Sequence, residues 1–284
     1  MRQGRPSRTA LKVALVIVTL GAKPGMEKLL PPGIVHATEE LLLASGAVGA
    51  GTIRWAGSRL AGSVYEAFDW MLPGQFEAFA HRKAFFERQV REGIGTGASQ
   101  VLVLGAGYDT LGWRLAREFP SVNFLEIDHP ATARLKARGV AAMGKPKNLC
   151  LIAEDLGKRK LIDVLKSNAS WFLNTQTVLL AEGLVMYLPP EAVSSLFCQC
   201  AKLVSGGSRF AFSCLARGAD GRPDAGRWTG LMLWLQKAVG EPWTWSLRPE
   251  ELSAFLKRAG WENAPELEET SGMHGVEFYA VAVK

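Results

Sequence analysis

Hydrophobic and polar positions change rhythm close to residue 100. Residues 1–95 read mainly as helix, interrupted by Pro-Gly at 24–25, Pro-Pro-Gly at 31–33 and Pro-Gly at 73–74. Ser7 is placed to N-cap a first amphipathic helix. Beyond this point short apolar runs alternate with helical stretches. Val101–Leu104 is an apolar run that stops at glycines, as a buried parallel strand does. Further strands are expected at 122–127, 149–153, 177–181 and 209–213, and helices at 111–119, 132–140, 161–165 and 190–203. Strand–helix alternation of this kind predicts an α/β fold, a parallel sheet with helices on both faces. Residues 276–283 alternate polar and apolar side chains instead, which suits an antiparallel edge strand. The Gly- and Trp-rich stretch 216–247 reads as an insertion after the fifth strand, a lid over the strands' carboxyl ends.

The 284 residues suit one domain (1–284), made of a helical cap over 1–95 and a core over 100–284. Charged residues are 21% and apolar ones 48%, which excludes a disordered chain. The net charge of +6 owes much to Arg2, Arg5, Arg8 and Lys12, which precede the first acid, so no nucleic-acid surface is implied. Four cysteines without a Cys-x-x-Cys pair, and four histidines, make a disulfide scaffold or a metal site unexpected. Reduced thiols fit the cytoplasm. The basic start and the apolar run 10–22 imitate a secretory signal, but Lys12 interrupts the run and it is too short for a bilayer. The amphipathic helix is the preferred reading, with no membrane partner.

The candidate chemistry lies in Gly105-Ala106-Gly107-Tyr108-Asp109-Thr110, between the first strand and its helix. Glycines there allow a sharp turn and close approach of a ligand. Asp128 ends the second strand 21 positions after Gly107, where a carboxylate accepts hydrogen bonds from ribose hydroxyls. A dinucleotide needs its pyrophosphate at the helix N-terminus and normally a third glycine. Here Thr110 takes the third place and Asp109 brings negative charge. That favours S-adenosyl-L-methionine, which has no phosphate and carries a cationic sulfonium and amino group, over a nicotinamide cofactor.

Several segments in order resemble the leucine carboxyl methyltransferase family, in particular its bacterial S-adenosylmethionine-dependent branch. They are Ser7–Ala10, His81–Phe86, Val103–Thr110, Phe124–Thr132, Glu154–Leu156, Ala181–Leu188 and Gly240–Trp243. The resemblance implies a class I methyltransferase, a Rossmann-like sheet of seven strands with the last antiparallel. It implies that Arg82 grips the methionine carboxylate and that Gly105, Ala106 and Gly107 line the methionine portion. Asp128 would hold the ribose, Asp155 and Leu156 would frame adenine, and Glu182 would face the amino-acid end. Many class I enzymes carry an acid two residues before the first glycine. Val103 stands there, and the family's acid follows the glycines, as Asp109 does.

Other residues have plainer explanations to set beside a functional one. Arg82 sits between His81 and Lys83, which by itself would suit a solvated basic face, and Asp155 would suit an N-cap. Arg8 is a second possible carboxylate ligand; His129 and His274 are possible bases. Cys198 and Cys200 read as packing. Trp228, Trp234, Trp243 and Trp245 suggest either core or an apolar acceptor pocket. No Asp–His or Lys-centred base is apparent, which leans towards O-methylation of a carboxylate or acidic hydroxyl on a small molecule or peptide.

Overall fold

Ser7 starts the first helix as expected: its hydroxyl accepts from the backbone N–H of Ala10 at 3.0 Å, opening α1 (Arg8–Gly21). The structure, a computed structural model, describes residues 4, 6–67, 74–264 and 276–284. The apolar run of α1 is buried at Val16, Ile17, Val18 and Leu20, so it belongs to the folded core. Four helices follow: α2 (Ile34–Ala44), α3 (Ala50–Ala56), α4 (Arg59–Ala67) and the long α5 (Gln75–Gly95). α1 packs against α2 and α5. α5 buries Phe85 and Phe86, and with them Arg82, Lys83 and Glu87.

The core alternates as the pattern predicts. In chain order it runs β1 (Gln100–Leu104), α6 (Leu111–Glu118), β2 (Asn123–Asp128), α7 (Pro130–Ala142), β3 (Leu149–Ala153) and α8 (Leu161–Lys166). Then come β4 (Thr177–Ala181), α9 (Pro190–Leu203), β5 (Arg209–Leu215), α10 (Thr229–Val239), α11 (Leu252–Ala259), β6 (Glu262–Asn263) and β7 (Glu277–Val283). The sheet order is β3-β2-β1-β4-β5-β7-β6. The first five strands pair in parallel, whereas β7 runs antiparallel to β5. One expectation is corrected here. β7 is antiparallel but is not the sheet edge, because the two-residue β6 pairs outside it. Two residues are too few to show a period.

Every residue of β1, β4 and β5 is buried, as strands covered on both faces require. On one face an aromatic cluster joins Phe197 of α9, Phe210 and Phe212 of β5, Phe255 of α11 and Trp261. The Trp261 indole N–H donates to the Phe197 carbonyl at 3.0 Å, so its polar edge is satisfied. The other face is closed by Phe85, Phe86 and Val90 of α5 with Leu111 and Leu115 of α6. Chain order reverses between β1 and β4, which opens a crevice at their carboxyl ends.

Candidate functional site

The crevice is built first by backbone. Gly105 and Gly107 adopt φ of +68° and +50°, the left-handed region. A Cβ on Gly105 would stand 2.9 Å from the Leu184 side chain, and one on Gly107 would stand 3.1 Å from Cβ of Ala10 on α1. The turn therefore needs glycine both for its conformation and for the elements pressed against it. Gly107 donates its N–H to Oδ2 of Asp128 at 2.6 Å, tying the turn to the end of β2. Burial raises the Asp128 pKa, while the Gly107 N–H, Lys136 and His129 oppose that rise.

A row of alternating charges crosses the site. Arg82 donates from Nε to Glu182 at 2.9 Å and from a terminal nitrogen to Glu277 at 2.6 Å. Lys83 Nζ lies 2.7 Å from Glu182 and 2.6 Å from Asp109. Both cations are buried, so the solvated basic face is overturned; helix α5 inserts Arg82 and Lys83 into the site. Burial alone would raise the Asp109 pKa, but the Lys83 ammonium, with Lys136 and Arg114, overrides it and holds the carboxyl well below its usual range. The other Asp109 oxygen accepts from the Leu111 N–H at 2.8 Å, at the start of α6. The helix N-terminus behind the glycine turn thus already has its anion.

All nine residues singled out in the sequence line one cavity of about 420 Å³: Arg82, Gly105, Ala106, Gly107, Asp109, Asp128, Asp155, Leu156 and Glu182. Asp155 also accepts from the Gly157 N–H at 3.0 Å through one oxygen, and its other oxygen lies 3.9 Å from both His129 Nε2 and Lys158 Nζ. Arg8 is exposed and does not line the cavity. His129 does: its Nδ1 accepts from the Ala131 N–H at the start of α7, and its Nε2 lies 3.9 Å from Oδ2 of Asp155. His274 lies outside the described residues. The insertion reaches the cavity through Glu241 and Pro242, and none of its four tryptophans lines the wall. Trp245 is core, Trp234 is 64% exposed and no residue of α10 is buried, which corrects the tryptophan-lined acceptor pocket.

The sequence did not point to Lys83 as a site residue, nor to Tyr187, Glu241 or Glu277. Lys83 had a signal, two phenylalanines two and three places on, marking a buried helix face. Glu277 had none, since it meets Arg82 across 195 positions. Tyr187 lines the cavity, and burial pushes its phenol up to about 12. α1 forms the roof: the Ser7 N–H donates to the Thr132 hydroxyl of α7 and the Thr9 N–H donates to Glu241. Among the described residues no cluster of His, Cys, Asp and Glu is arranged for a metal ion.

Sheet order, glycine turn and acid at the end of β2 together define a doubly wound domain with a nucleoside-type crevice. Residues 39–201 match the family model for leucine carboxyl methyltransferase, and the chain belongs to that family. A relative from Mycolicibacterium paratuberculosis, provisionally named an S-adenosyl-L-methionine-dependent methyltransferase, is 32% identical over 179 residues, 61% of this chain and 56% of the relative. One from Mycobacterium marinum with the same name is 32% identical over 145 residues, 50% of this chain and 46% of the relative. The chain thus spans about half the length of the curated relatives it matches. Among solved structures, a provisionally assigned methyltransferase from Thermobifida fusca YX superposes with a TM-score of 0.59 at 17% identity, covering 92% of this chain and 97% of that one. An O-methyltransferase family protein from Burkholderia thailandensis gives 0.50 at 14% identity, over 72% and 60% of the two chains. These two likenesses are of fold.

Proposed function

We propose that the chain is an S-adenosyl-L-methionine-dependent methyltransferase acting on an oxygen of a small molecule or peptide. One observation carries the choice of cofactor. The N-terminus of α6, where a dinucleotide would lay its pyrophosphate, is capped by Asp109, which is itself paired with Lys83. A diphosphate brought there would meet a carboxylate. The donor set fits a cationic nucleoside instead: Asp109, Asp128, Asp155 and Glu182 face a cavity whose cations, Arg82 and Lys83, are already paired. About 420 Å³ is within the usual range for a cofactor-sized pocket.

When bound, S-adenosylmethionine would supply an electrophilic methyl carbon. The chain's own contribution is then binding and orientation, with Asp128 on the ribose, Asp155 and Leu156 at adenine, and the glycine turn against the methionine portion. Arg82 keeps a terminal nitrogen beyond its two carboxylate bonds for the cofactor's carboxylate. α1, roofing the turn, excludes water. Orientation and water exclusion of this kind are worth up to roughly 7–11 kcal/mol.

Of the candidate bases in the described cavity wall, Lys83 is held by two carboxylates and the Tyr187 phenol keeps its proton, which leaves His129, its Nδ1 capping α7 and its Nε2 3.9 Å from Asp155. An acceptor that is already an oxyanion near neutrality, a carboxylate or an acidic hydroxyl, needs none.

Calorimetric titration with S-adenosylmethionine, its demethylated product and NAD tests the proposal. The first two are expected to bind at micromolar concentrations and NAD not at all. Asp128→Ala should remove that binding while the chain still folds, the lost tether to Gly107 costing about 1–3 kcal/mol of stability. Preferential binding of NAD, or unchanged affinity in Asp128→Ala, sinks the assignment.

A further inference from the structure

Behind the glycine turn, on the side away from the cavity, α7 places a second buried lysine that neither the family resemblance nor the reaction uses. Lys136 is 2% exposed, its Nζ lies 2.5 Å from Oε2 of Glu126 (3% exposed), and it donates to the Ala106 carbonyl at 3.4 Å. Gly112 of α6 leaves the room that this pair needs: a Cβ there would come within 2.2 Å of Oε1 of Glu126. A buried ion pair stabilises a fold little more than apolar side chains of the same volume would. Its charge, and where that charge is aimed, therefore matter more than its contribution to stability.

We infer that Lys136 is a positioning residue of the cofactor site, a second donor to the Ala106 carbonyl that the Asp109 N–H already holds at 3.0 Å, presenting positive charge to Asp109 and Asp128 from the rear. The inference rests on the proposed S-adenosylmethionine site and names a residue that acts on it without touching the ligand. The charged groups around it are these. Glu126 and Asp128 come from β2, Asp109 from the turn before α6, and His129 from the start of α7. Lys83 of α5 and Arg114 of α6 act on Asp109 from the other side. Three carboxylates thus converge on Lys136, and Asp109 has two further cations of its own. Asp128 has Lys136 beside His129 and the Gly107 N–H, with the Tyr108 phenol and Glu126 also in its field.

The sign of the effect follows. Burial favours the protonated form of Asp128, and the Lys136 ammonium works against it. A protonated Asp128 accepts poorly from two ribose hydroxyls, so affinity falls as pH drops through its pKa. Without Lys136 that pKa rises further, and affinity falls at a higher pH.

The test is calorimetric titration of the full chain with S-adenosylmethionine between about pH 5 and 8, with melting temperatures alongside. Lys136→Met should shift the midpoint of the affinity-versus-pH curve upward by about one unit, a roughly tenfold loss of affinity below it. Lys136→Arg should keep the wild-type midpoint. The double variant Glu126→Gln with Lys136→Met removes the stranded carboxylate. It should recover melting temperature, and because Glu126 acts on Asp128 with the opposite sign to Lys136, its midpoint should lie between those of wild type and Lys136→Met. If Lys136→Met leaves the midpoint in place, or Lys136→Arg moves it as far as Lys136→Met does, Lys136 is structural only and the inference falls. Failure of the wild-type chain to bind S-adenosylmethionine overturns the underlying site assignment instead.

Discussion

Asp109 does two jobs with two oxygens, and they separate on substitution. One oxygen accepts from the Leu111 N–H and caps α6; the other holds Lys83. Asparagine keeps the cap, since its side-chain oxygen serves as well there, and loses the ion pair. Lys83 still has Glu182 at 2.7 Å, so it is not stranded, and the expected cost of Asp109→Asn is about 1.5–3 kcal/mol near neutral pH. The fold holds the Asp109 pKa below its ordinary 3.8, so its stabilisation is complete above that value and is lost as pH falls towards the depressed one. Urea unfolding at about pH 7 and pH 3 should therefore show wild type and variant converging in acid; a gap that widens there contradicts the ion pair's role. At this scale much of the site was legible. The glycine turn and the acids at 109, 128, 155 and 182 stand beside strand ends, where local pattern and ligand chemistry coincide. Lys136 was not, because a charged residue on a helix reads as solvated until its neighbours in space are known, and for Lys83 only the two phenylalanines that follow it hinted otherwise.

α1 illustrates what is settled one level up. Its cap, its apolar stripe and its limits were readable from Ser7 and the run that follows. Its role as a roof was not, because the contacts that place it join Ser7 to Thr132 and Thr9 to Glu241, 125 and 232 positions away. Local sequence specifies a helix; only the tertiary arrangement specifies what it covers. The same limit explains the insertion 216–247, whose four tryptophans suggested a pocket although none of them lines the cavity. The cap itself is testable. Ser7→Ala removes the side-chain acceptor for Ala10 and should cost about 1 kcal/mol, a fall of roughly 2–4 °C in melting temperature. Ser7→Asp retains an acceptor and should stay close to wild type by scanning calorimetry. Equal losses in both variants would mean that an acceptor for the Ala10 N–H is not what the serine supplies, since the backbone bond to Thr132 survives in each.

At the scale of the molecule, alternation of strands and helices was enough to forecast a parallel sheet, and the sheet in turn places the crevice between β1 and β4. What alternation left out was which aromatic residues bind the layers together, for nine tryptophans and 13 phenylalanines are spread along the chain. The structure divides them sharply. Phe197 stands at the centre of one face, with ring centroids of Phe210, Phe212 and Phe255 at 4.6, 4.9 and 5.0 Å, and it is fully buried. Those neighbours come from β5 and α11, elements that cannot both move into the space a truncated side chain leaves. Phe197→Ala should therefore cost about 3–5 kcal/mol, the transfer of the ring plus a cavity that stays open. Trp234 is larger but 64% exposed on a helix with no buried residue, and Trp234→Ser should stay within about 0.5 kcal/mol of wild type. Urea denaturation of the two variants measures the contrast directly. A large loss for Trp234→Ser would mean that α10 is covered in solution, and a small one for Phe197→Ala that the layers on this face can collapse around the missing ring.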